Sequence, residues 1–148
     1  VNDQVDLATV LDVYAWFAAS GVAQGELLDL IRHSTRQAIR YLRENAFTPY
    51  PGVVKKRDYG PDRPATIDVL NGDAMVAAAF TRASQLLAEP QLLKEARPCV
   101  EHLIDRFGAH YPGWWPYSEH LPEHTDTALH PPGISVFFQA MILLYMEP

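Results

Sequence analysis

A single cysteine, Cys99, is the only thiol in this 148-residue chain, so no disulfide can close within it. Cysteine usage therefore gives no sign of an oxidising compartment, and localisation stays open. Lying on the apolar stripe of a predicted helix, Cys99 reads as a small buried hydrophobe. Long apolar runs are also missing. The longest, Ile134 to Met146, is too short to cross a bilayer, so no membrane partner is expected. Positive charge is scarce: 12 Lys and Arg stand against 18 Asp and Glu, a net charge of −6. That balance leaves no electrostatic footprint for a polyanion and excludes nucleic acid as a partner. The one basic cluster, Lys55-Lys56-Arg57, runs straight into Asp58 and Asp62 and reads as a solvated loop tip. A Gly-x-Ser-x-Gly elbow, a phosphate-cradling glycine loop and a paired-cysteine knuckle are all lacking. Their absence argues against a serine hydrolase, an ATPase and a zinc finger, and no cofactor is implied. The chain starts at Val1 without methionine and stops at Pro148 after an apolar helix, which is the pattern expected of a processed, excised or partial chain.

What is present is a repeat. Tyr50-Pro51-Gly52 returns as Tyr111-Pro112-Gly113, a shift of 61 residues. The same ungapped register sets Gly72 on Gly133, Asp58 on Glu119 and Ala79 on Ala140, and upstream Arg36 on Arg97 and Leu42 on Leu103. Such periodicity implies stacked supersecondary units, here spanning roughly 1–52, 53–113 and a partial 114–148 within one domain, 1–148. An apolar content of 48% with 20% charged residues is that of an ordinary globular fold.

Apolar spacings of three and four residues predict amphipathic helices over 26–45 and 91–107, each with one buried and one wet face. On the second of these, His102 falls on the wet side, and Pro98 should kink or split the helix. Segments 7–19, 73–88 and 134–146 are apolar nearly all round and should be covered on every side. Long loops rich in proline and aromatics, 47–70 and 108–133, follow the amphipathic helices, and Val53-Val54 and Trp114-Trp115 are the candidates for a short ribbon. The fold class is all-α, built from α/α hairpins.

These hairpins, together with Gly113-Trp114-Trp115-Pro116-Tyr117-Ser118-Glu119, resemble the α/α-toroid enzymes. The likeness is closer to sugar lyases, sugar epimerases and hairpin-type glycosidases than to squalene-type cyclases, whose Asp-rich acid motif is absent. It implies a partial toroid of alternating inner and outer helices, with the long loops gathered at the barrel mouth. About two and a half hairpins cannot close a ring. The last helix lacks an outer partner, so self-association or contact with a missing segment of a larger chain is expected through the apolar end helices.

The functional expectation is a carbohydrate-binding or carbohydrate-processing domain. Trp114, Trp115, Tyr117 and Tyr59 would contact sugar, and Asp73 would either cap its helix or point into the barrel. Glu119 and Asp126 are the acid–base candidates. A non-catalytic assembly module is the alternative. A metal-dependent enzyme using His120, His124 and His130 ranks behind both, because Pro122, Pro131 and Pro132 remove the helix that would align those imidazoles. Asp12, in mid-helix, is expected to be exposed or paired, with an arginine as the candidate, and Gln139, alone on an apolar helix, needs a partner if buried.

Overall fold

The structure, a computed structural model, describes residues 4–54, 67–109, 112–121 and 136–146. Among these residues there are five helices: α1 (Gln4–Ala19), α2 (Glu26–Asn45), α3 (Leu70–Leu87), α4 (Leu93–Arg106) and α5 (Val136–Met146). Two three-residue strands, β1 (Ile67–Val69) and β2 (Ser118–His120), pair antiparallel. The molecule is mostly helical, as the apolar periodicity requires. Among the described residues no helix is long and apolar enough to cross a membrane.

Helix α3 is the hub and touches each of the other four helices. Its composition explains this: Ala74, Ala77, Ala78, Ala79 and Ala83 keep its surface thin, so neighbouring helices approach closely. Met75, Val76 and Phe80 fill the spaces between them, each completely or almost completely buried. A fully buried side chain of this kind contributes about 1.5–3 kcal/mol. The helix ends without a glycine. Ala88 takes the left-handed conformation at φ 55°, and the N–H groups of Ala88 and Glu89 close back on the carbonyls of Gln85 and Ser84.

Helices α2 and α4 each have one buried and one wet face, as their spacing demands. On α2, Ile31, Thr35, Ala38, Ile39 and Leu42 are buried, and Thr35 satisfies its hydroxyl on the Ile31 carbonyl at 2.8 Å. On α4 the buried residues are Ala96, Cys99 and Leu103. Pro98 does not split α4, which runs unbroken behind a single 3-10 turn, Pro90–Leu92.

Three expectations need correction. The ribbon does not join Val53-Val54 to Trp114-Trp115. Val54 instead bridges Phe47 within its own loop, and the two strands come from the segments that follow the Tyr-Pro-Gly turns. Helix α1 is not covered all round within the chain, because it packs chiefly on α3, and α5, expected to lack an outer partner, also packs chiefly on α3. This leaves Trp16 of α1 62% exposed and Leu143 and Leu144 of α5 59% and 62% exposed. His102 is not on a wet face, because the β1–β2 ribbon lies against that side of α4.

Candidate functional site

The site begins with a cross-strand pair. In the β1–β2 register Asp68 faces Glu119, so two carboxylates share one face of the ribbon. Like charges directly opposite one another destabilise a sheet unless something neutralises them. Helix α4 supplies the compensation. His102 and Arg106 are four residues apart, hence on one helical face, and both reach the ribbon. His102 Nε2 lies 2.7 Å from Asp68 Oδ2, and Arg106 donates to Glu119 Oε2 through Nε at 2.8 Å and Nη2 at 2.6 Å.

Helix α3 begins immediately after β1, and its first turn delivers a third carboxylate, Asp73. That side chain makes no capping bond; its Oδ1 accepts the Val54 backbone N–H at 2.8 Å, anchoring the first long loop. Its Oδ2 points to the cluster, 3.9 Å from His102 Nε2, and Glu119 Oε1 is 3.7 Å from the same nitrogen. Three carboxylates thus converge on one imidazole nitrogen. Asp68 and Asp73 are buried, whereas the side chains of Glu119 and His102 are 12% and 18% exposed. Burial, reinforced by the charge of Asp68, pushes the Asp73 carboxyl well above the usual aspartate range, against the opposing pull of the Val54 N–H. Burial, with the same two aspartates adding to it, also pushes the Cys99 thiol up, so it is an inert core group.

The Tyr50-Pro51-Gly52 turn packs directly against α4 beside His102. Gly52 has φ 77°, and a Cβ there would meet the Pro98 carbonyl oxygen at 2.2 Å and His102 Cβ at 2.9 Å. Only glycine allows the loop to sit this close to α4. Beside the cluster opens a cavity of about 240 Å³, lined by Tyr50, Val53, Asp68, His102, Arg106, Glu119 and Leu121. A space of this size admits one small molecule.

The sequence candidates are distributed unevenly around this cavity. Asp73 and Glu119 are brought together. Tyr117 stands two residues before Glu119 and is half-buried. Trp114 is exposed. Trp115 is buried against Phe107, its indole N–H bonded to the Leu103 carbonyl at 2.7 Å. Gln139 finds the partner it needs there, accepting from the Trp115 N–H at 3.0 Å and donating to its carbonyl at 2.7 Å. Asp12 pairs with Arg82 at 3.0 Å, away from the cavity. Tyr59, Asp126, His124 and His130 lie outside the described residues, and of His120 only the backbone, in β2, is described. The residues that sequence reasoning missed are Asp68, His102 and Arg106. The four-residue spacing of His102 and Arg106 was a usable signal, but it reads equally well as a solvated face.

No protein-family model, curated protein or solved structure matches this chain.

Proposed function

We propose that the chain is a carbohydrate-processing or carbohydrate-binding domain of the partial α/α-toroid kind, and that the cavity beside Glu119 is its site. One observation carries the reading: Glu119, a carboxylate only 12% exposed, lines a small cavity with mixed apolar and polar walls while held by Arg106 and facing His102. A carboxylate positioned in this way serves proton transfer to or from a hydroxyl-bearing substrate. Arg106 and His102 provide polar contacts for hydroxyl groups, and Tyr50 gives an aromatic wall. The hairpin reading draws support from the two turns. Gly52 and Gly113 have φ 77° and 78°, and each turn is spanned by a backbone bond, Thr48 N–H to the Val53 carbonyl and Gly108 N–H to the Trp114 carbonyl.

The test is a panel of neutral and acidic sugars, scored for binding by ligand-observed NMR and for turnover by product analysis. Glu119→Gln keeps an acceptor for Arg106 but removes the proton-transfer group. Turnover should fall by about 10²–10⁴-fold with sugar binding retained. A variant as active as wild type, or a wild type that binds no sugar, overturns the reading.

The assembly-module reading has its own support. Val13 and Trp16 on α1, and Leu143 and Leu144 on α5, are large apolar side chains left at the surface.

A further inference from the structure

We propose that Asp68, Asp73 and His102 form a binding site for one divalent first-row transition-metal ion. The proposal uses the same cluster as the sugar reading but does not depend on any substrate, since metal uptake is measured directly and either reading can fail alone.

The first argument is convergence. One donor atom from each of the three residues lies within 4.8 Å of the others. They come from three separate elements, β1, the first turn of α3 and the middle of α4, so the arrangement belongs to the tertiary structure and not to one helix face. The second is unmet bonding. Asp68 Oδ1 and Asp73 Oδ2 meet no hydrogen-bond donor, although both side chains are almost wholly shielded from water. Thr35 on Ile31 and Gln139 on both backbone groups of Trp115 show buried polar groups that are paired, and Asn71 Oδ1 in the first turn of α3 is the one further buried side-chain oxygen without a donor among the described residues. A buried carboxylate oxygen without a donor costs free energy unless a cation, or a proton shared by the two aspartates, meets it.

Charge gives the third argument. Three acidic side chains, Asp68, Asp73 and Glu119, gather against a single arginine, Arg106, so the cluster is rich in oxygen donors that a cation would favour. Donor chemistry then narrows the ion. Two carboxylate oxygens and one imidazole nitrogen suit zinc, cobalt or manganese. Calcium prefers a larger, all-oxygen shell, and magnesium usually retains several waters. Three protein ligands beside a cavity also match the pattern of catalytic metal sites, in which a remaining position is left for water or substrate. Glu119, already held by Arg106, stands next to the ligands and would orient whatever occupies that position.

The experiment is equilibrium dialysis of the untagged, chelator-stripped chain against zinc and manganese, with bound metal counted by elemental analysis, and cobalt(II) added as a spectroscopic probe. Wild type should retain one equivalent at micromolar free metal and show the visible bands of nitrogen- and oxygen-ligated cobalt. Asp73→Asn preserves the acceptor for Val54 N–H and should lose affinity by about 100-fold or more. His102→Ala should lose it likewise, with circular dichroism verifying that both variants fold. The triple variant His120→Ala, His124→Ala, His130→Ala should bind as wild type does. No uptake by wild type overturns the proposal. So does unchanged uptake by folded Asp73→Asn, or loss of uptake confined to the triple-histidine variant.

Discussion

Gly52 and Gly113 take the same backbone conformation but carry different loads. Both have positive φ, so alanine at either position costs about 1–2 kcal/mol in conformation alone. Around Gly113 a Cβ would meet nothing within 4 Å, whereas at Gly52 it collides with backbone of α4 and with His102. Gly113→Ala should therefore lower stability by about 1–2 kcal/mol, and Gly52→Ala by roughly 1–3 kcal/mol more through overpacking. Chemical denaturation of both variants checks the ordering. Asp73 makes a second residue-scale prediction. Its carboxyl is raised in the fold above the ordinary 3.8, so the native state holds that proton more tightly than the unfolded chain does. The stabilisation is complete below the unfolded value and is lost as pH rises through the folded one. In the presence of a chelator, Asp73→Asn should gain stability relative to wild type as pH increases from 4 to 8, read as a widening gap in unfolding midpoints. A gap independent of pH would contradict the assignment.

At the scale of elements, one side chain ties the last described helix to the loop before β2. Gln139 of α5 pairs with both backbone groups of Trp115, in the loop between α4 and β2. The tie matters because Leu70, Ala74, Leu103, Trp115 and Ile142 pack as one cluster, so α3, α4, α5 and this loop share a core. Gln139→Leu keeps the volume but strands a buried N–H and C=O, at about 1–3 kcal/mol each. We expect a loss of about 2–6 kcal/mol by denaturation, with the loop more accessible to hydrogen exchange. The β1–β2 ribbon obeys the same logic in reverse. Three residues per strand provide little stability, and the ribbon is held by His102 and Arg106 pulling the Asp68–Glu119 pair onto α4.

Over the whole molecule, the two apolar end helices leave large side chains at the surface. Trp16 of α1 and Leu143 and Leu144 of α5 belong to helices packed chiefly on α3 and present large apolar area to solvent. Light scattering across a concentration range should therefore show association, and Trp16→Ser with Leu144→Ser should shift the population towards monomer. A monodisperse monomer at high concentration would leave the assembly reading without support.

Helix positions are legible in this sequence because they depend on local periodicity. The reading of 26–45 coincides with α2, and the other four helices fall within a few residues of expectation. Cys99 in the core, Gln139 with a partner and Asp12 with an arginine follow from the same local reasoning. The site is a different matter. Asp73 and Glu119 can be singled out by residue type, but nothing local relates them to Asp68 and His102. The strands that place Asp68 opposite Glu119 are too short to show alternation, and their partners lie far apart in the chain. His102 carries the pattern of a solvated residue because helical periodicity records only the helix's own faces. What covers that face is a ribbon built from two distant loops, and only the tertiary packing of those loops on α4 turns scattered acids and one histidine into a cluster.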